Sequence, residues 1–146
     1  MGFEKKNKPA ARVYRSVAQT IPDIIGTDIV FDTENFDTDD MFTPPASKIY
    51  VKRLSGYYQV EGSVGFDVNA VGWRAAYLVV NDWTFIAELN AVPDPVWGCV
   101  IHLSTPWCFN INDSVRLYVG QHSGGNLNTF PGLFVTWLSL VHLSGR

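Results

Sequence analysis

The stretch Leu54-Ser55-Gly56-Tyr57-Tyr58-Gln59-Val60-Glu61-Gly62-Ser63-Val64-Gly65-Phe66 decides the fold. Its even positions Tyr58, Val60, Val64 and Phe66 are apolar and its odd positions Gln59, Glu61 and Ser63 are polar. That two-residue period belongs to a half-buried strand. Gly56, just ahead, can take a positive φ and suits a turn feeding directly into the strand.

Working outward, residues 12–18, 28–31 and 48–54 read as three earlier strands, and the acidic segment 32–42, closed by Pro44-Pro45, reads as loop throughout. Residues 73–80 and 83–91 form two strands joined by Asn81-Asp82, a pair that suits a tight hairpin. On the second of these, Trp83, Phe85, Ala87 and Leu89 are expected to face one way and Thr84, Glu88 and Asn90 the other. Trp97, Cys99, Ile101 and Leu103 alternate again, with Pro106 ending that strand; Val115, Leu117 and Val119 mark another. The final strand, residues 133–143, is apolar on both faces and is therefore expected to be buried on both sides, one against the core and the other against a neighbouring subunit. No sustained helical stripe and no repeat of 20 to 50 residues is present. The fold class is all-β, a sandwich of roughly eight to ten strands.

With 146 residues the chain is one domain, large enough to bury roughly 70% of the surface its unfolded form exposes. The net charge of −3 argues against general nucleic-acid binding. Charge is distributed unevenly: residues 1–12 are net +3, residues 23–40 hold seven of the 14 acidic side chains, and residues 55–146 contain nine charged residues but 14 of the 20 aromatics. So few charges among so many rings is a poor surface for a monomer, and an oligomer is expected. No apolar run is long enough for a membrane span, and the start lacks the apolar core of a signal peptide, so a soluble, unprocessed chain is expected. Residues 1–10 read as a flexible basic arm and residues 11–146 as the domain. Cys99 and Cys108 read as buried, reduced thiols.

Four segments, Gly56-Tyr57-Tyr58-Gln59-Val60, the hairpin Val79-Val80-Asn81-Asp82-Trp83 with Ile86-Ala87-Glu88, the strand 109–117, and the closing strand Thr136-Trp137-Leu138-Ser139-Leu140-Val141-His142-Leu143, stand out by their order and spacing. Together they resemble the C1q and tumour-necrosis-factor-like jelly roll, specifically the C1q-like domains of bacteriophage virion proteins. Phe31-Asp32-Thr33-Glu34 and Phe36-Asp37-Thr38-Asp39 are similar to the phage versions. The resemblance spans about residues 11–143. It implies a jelly-roll β-sandwich of ten strands that assembles as a compact homotrimer through aromatic and aliphatic side chains near the threefold axis. Tyr57, Phe134 and Trp137, large aromatics on the two most telling strands, are the candidate trimer contacts.

No catalytic motif is found. His102, His122 and His142 lack metal-ligand spacing, and neither a Gly-x-Ser-x-Gly elbow nor a phosphate loop is present. A non-enzymatic protein without a cofactor is expected. Asp32, Glu34, Asp37 and Asp39 are candidate Ca²⁺ ligands, set against the reading of a solvated loop whose Asp and Thr side chains bond local backbone. Lys5, Lys6, Lys8 and Arg12 are candidate attachment residues, and three copies of the arm on one trimer would raise avidity.

The reading that joins these features is a phage virion structural protein, assembled in the host cytoplasm. Its trimer would decorate or cement the shell at threefold or quasi-threefold sites, with the major capsid protein or another virion protein as partner. The alternative is a receptor- or glycan-binding knob of a tail or head fibre, presenting aromatics such as Trp73, Trp97 or Trp107 to a host-surface glycan. A host-encoded, secreted C1q-like recognition protein is a third class, against which the missing signal peptide counts.

Overall fold

The computed structural model describes residues 7–146. Twelve strands run in the order β1 (Ala10–Tyr14), β2 (Thr20–Ile21), β3 (Thr27–Asp28), β4 (Thr33–Asp37), β5 (Lys48–Tyr50), β6 (Gly56–Phe66), β7 (Trp73–Val80), β8 (Thr84–Ala91), β9 (Cys99–Phe109), β10 (Ser114–His122), β11 (Leu127–Phe130) and β12 (Trp137–Ser144). A seven-stranded sheet has the order β2-β11-β6-β12-β1-β4, with β9 on the other side of β6; a five-stranded sheet has the order β3-β10-β7-β8, with β5 also on β10. Every ladder is antiparallel.

The period of two in β6 sorts its side chains as expected. Tyr58, Val60, Val64 and Phe66 are all buried in the core. Facing them from the second sheet are Leu78 on β7 and Val115, Leu117 and Val119 on β10. Removing each such large side chain from water stabilises the fold by roughly 1.5–3 kcal/mol. At Gly62 a Cβ would lie 3.0 Å from Leu78 and 3.2 Å from Leu117, so a glycine there brings the two sheets close at the centre of the sandwich. Gly56 has φ of 127° at the entry to the strand, as the turn reading requires.

Several sequence expectations are corrected. The acidic segment is not loop throughout: residues 33–37 form β4, which pairs with β1. No alternation marks it, because its central residues Glu34, Asn35 and Phe36 are all exposed on an edge strand, where charge discourages pairing with other chains. Pro106 does not end its strand; β9 continues to Phe109. Because β9 pairs among the described residues only with β6, it is an edge strand there, where a missing backbone donor is tolerated. The last strand starts at Trp137 and not at 133, with Leu133–Thr136 spent in a turn braced by the Val135 and Thr136 N–H groups donating to Gly132 O. The short strands β2 and β11 were not anticipated at all.

On β8 a bulge opposite Leu78 and Val79 breaks the expected alternation. Phe85 stands across from Val79 and Glu88 across from Tyr77, so Phe85 shares the outer face with Glu88 and Asn90, while Ala87 packs against the core. Trp83, expected in the strand, belongs to the three-residue turn 81–83, which Asn81 enters with φ of 54°.

Arg74 is fully buried, a placement no apolar pattern foretold. Its guanidinium donates to the carbonyls of Asn69, Val71 and Trp73 at 2.8–2.9 Å, tying down the loop before β7. Burial pulls its pKa below the usual arginine value.

Candidate functional site

Side chains of β6, β9, β12 and β1 that point away from the core form one continuous face. From β6 it receives Tyr57, Gln59, Glu61 and Ser63, and from β12 it receives Trp137, Ser139 and Val141, which stand opposite Ser63, Glu61 and Gln59. His102 and Ser104 come from β9 opposite Ser63 and Glu61, and Arg12 comes from β1 opposite Ser139.

The middle of this face is internally bonded. The Arg12 guanidinium lies 4.0 Å over the Trp137 ring and donates to Leu133 O at 3.0 Å. Trp137 is in turn 5.5 Å from the His102 ring, and His102 Nε2 is 3.6 Å from Glu61. Gln59 Nε2 donates to Ser104 Oγ at 2.7 Å, and Ser63 Oγ donates to Val135 O at 2.7 Å. These bonds hold the rotamers of a flat surface before any partner arrives, which lowers the ordering cost of binding.

The candidate trimer contacts fall into two groups. Tyr57 and Trp137 share this face, Tyr57 46% exposed and Trp137 only 8% exposed beneath Arg12. Their rows on β6, 57 and 63, are about 20 Å apart along the strand. Phe134 is not in the strand; it projects from the turn before β12 with 86% exposure. Around the rim Val100, Val141, Leu143 and Phe36 are also exposed. Along the outward row of β12, Trp137 and Ser139 are thus covered within one chain, while Val141 and Leu143 are open to solvent.

Of the candidate attachment residues, Lys5 and Lys6 lie outside the described residues. Lys8 Nζ donates to Leu143 O at 2.6 Å, and the neighbouring Pro9 O accepts from His142 N, so residues 8–9 run along the end of β12. Arg12 belongs to β1.

The four candidate Ca²⁺ ligands do not converge. Asp32 accepts from Ser16 N at 2.9 Å and from the Thr33 hydroxyl at 2.8 Å. Partial burial pushes its pKa up, but those hydrogen bonds outweigh it and hold the carboxyl below its ordinary value. Asp37 closes a turn by accepting from Met41 N and Phe42 N, both at 2.9 Å, and Asp39 is ion-paired with Arg53 at 2.7 Å. Glu34 is raised by desolvation and by the nearby charges of Asp37 and Asp40. Among the described residues no group of three His, Cys, Asp or Glu side chains is arranged to hold a metal.

Cys99 is buried and Cys108 half-buried, both as free thiols. They sit nine residues apart on the same strand, roughly 30 Å, so they cannot bridge one another.

Of a second surface, the outer face of the five-stranded sheet, sequence reasoning named Trp73 and missed the other rings. Tyr77, Trp83, Phe85 and Tyr118 meet there with ring centroids 5.5–6.4 Å apart. The signal was present in the even positions of 114–122 and odd positions of 73–80, but the bulge on β8 concealed which rings would join them.

No protein-family model matches the sequence, and no curated protein matches it. Solved structures do resemble the fold. Murine APRIL superposes with a TM-score of 0.73 at 8% identity, covering 94% of this chain and 100% of that one. An Eiger TNF from S. frugiperda gives 0.68 at 9% identity, over 96% of each chain. The globular domain of zebrafish complement 1qA gives 0.67 at 15% identity, over 95% of this chain and 99% of that one. The chain thus has the all-β jelly-roll sandwich seen in tumour-necrosis-factor and C1q domains.

Proposed function

We propose that this chain is a virion structural protein whose homotrimer decorates or cements a capsid shell at threefold or quasi-threefold positions. The observation that carries the reading is the uncovered face of the seven-stranded sheet. It presents Tyr57, Val141 and Leu143 to solvent around a centre already braced by the Arg12–Trp137 stack and the Glu61–His102 pair. The resemblance to C1q-like domains supports the same assembly, since it implies a homotrimer joined through this kind of side chain. A closed cyclic trimer suits a threefold site since it leaves no interface unpaired. The role is non-enzymatic: the major capsid protein or another virion protein is the partner, the basic N-terminal segment assists attachment, and assembly takes place in the host cytoplasm.

Electron microscopy of virions carrying an affinity label on this chain tests the reading. Label is expected over the shell at threefold positions. Label confined to the tail or to fibre tips, or virions without the protein, would refute it.

A further inference from the structure

On the outer face of the five-stranded sheet, opposite the proposed association surface, β7 and β10 set their outward rows side by side. Tyr118 stands across from Tyr77, and His122 across from Trp73. Gly120, in the same row, leaves room for the Trp73 ring, which would lie 3.4 Å from a Cβ placed there. The bulge on β8 turns Phe85 onto the same face, and the hairpin turn adds Trp83. The result is a track of rings from Trp73 through Tyr77 to Trp83, roughly 20 Å long at the rise of a strand.

The track is rigid at its Trp83 end. Arg116 lies 4.9 Å from the Trp83 ring centroid, donates to Asp28 at 3.1 Å, and donates further to the carbonyls of Asn81 and Asp82. Although Arg116 is almost wholly buried, Trp83 remains 62% exposed. Beside it is an open depression of about 530 Å³ lined by Asp28, Lys48, Asp82, Trp83, Arg116 and Tyr118. A second depression, of about 380 Å³, lies at Trp73, Tyr77 and Asn90.

The chemistry between the rings selects the occupant. The side chains of Lys48, Asp82, Glu88 and Asn90 make no hydrogen bond or ion pair among the described residues, and each stands next to an exposed aromatic surface. Ring faces with uncommitted donors and acceptors beside them match a ligand that has both apolar C–H faces and many hydroxyls. In the larger depression, Asp28 and Asp82 are balanced by Lys48 and Arg116. A balanced site gives no attraction for phosphate backbones or anionic lipid. We propose that this face is a carbohydrate-binding strip that takes successive pyranose units of a neutral glycan along the Trp73–Trp83 track. The proposal rests on the single subunit and is independent of the capsid-decoration reading; on a trimer, three such strips would face outward.

Its test is titration of the intact protein with neutral oligosaccharides (maltopentaose, cellopentaose, mannopentaose and chitopentaose), with sialyllactose and a heparin oligosaccharide as charged comparisons. Tryptophan fluorescence and calorimetry are the readouts. At least one neutral oligosaccharide is expected to bind and to shift the fluorescence. Trp83→Ala and Trp73→Ala should each weaken that binding by about tenfold or more. Val17→Ala, which truncates an exposed apolar side chain outside the track, should leave it unchanged. Circular dichroism and solution mass of each variant confirm that fold and assembly persist. The proposal is overturned if no neutral oligosaccharide binds at millimolar concentration, if only the charged ones bind, or if binding survives both track substitutions.

Discussion

The guanidinium of Arg12 lies 4.0 Å above the Trp137 ring, clipping β1 to the first residue of β12 on the uncovered face of the larger sheet. Stacking here does two things. It hides most of an indole that one subunit cannot bury in its core, and it spreads the arginine's apolar stem over that surface.

A double-mutant cycle with Arg12→Ala and Trp137→Ala measures the pair. Chemical denaturation should return a coupling of about 0.5–2 kcal/mol. Coupling near zero would mean that the stack is incidental and that the face is not braced as described.

Gly56 opens β6 with φ of 127°, and a Cβ there would come within 2.3 Å of the Ser144 carbonyl oxygen. Gly124 also has positive φ, 94°, but faces open space. Both alanine variants bear backbone strain, and only Gly56→Ala adds a clash with backbone. Gly56→Ala should therefore lose more than about 1 kcal/mol beyond the loss at Gly124→Ala. Equal melting temperatures for the two variants would contradict this packing.

Tyr58 is buried, donates to Leu54 O at 2.6 Å, and has its pKa pushed up to about 12, first by desolvation and then by the Asp39 charge. The unfolded chain ionises a tyrosine near 10. Between those values the folded state holds a proton that the unfolded state has released, so stability falls as pH rises. The contribution is fully present below about pH 10 and is lost as pH climbs through about 12. Tyr58→Phe should flatten the decline in melting temperature over that window. In the parent protein one of the six tyrosines should ionise last by ultraviolet difference absorbance.

The two thiols should respond differently to a water-soluble disulfide reagent. Cys99 is buried and its pKa is raised by desolvation, whereas Cys108 is half-exposed and accepts from Arg146 Nε at 3.1 Å. Because Cys108 stands opposite Tyr57 on the proposed association face, at most one thiol should react in the native protein, and both after unfolding. Rapid reaction of two native thiols would show that β9 is not packed as described.

The legible parts of the sequence were those where one face is core and the other is not. Residues 54–66 declare their strand because Tyr58, Val60, Val64 and Phe66 alternate with polar neighbours, and 73–80 is bounded as expected. What escaped reading was decided by tertiary position. Residues 33–37 can be charged because they form an edge, and Pro106 sits in a strand because that strand has one neighbour among the described residues. Phe85 turns outward because of a bulge that no alternation encodes. Trp137 is legible as an important aromatic, but its arginine lid is not, since Arg12 is 125 positions away in sequence and reads there as a candidate attachment residue. Arg74 shows the same limit, its burial set by loop carbonyls that only the fold brings around it.

If the outward face of the seven-stranded sheet is where further copies of the same chain bind, sedimentation equilibrium of the purified protein at micromolar concentration should return a mass three times the chain's 16.3 kDa. A species that stays at 16.3 kDa as concentration is raised would show that this face stays bare.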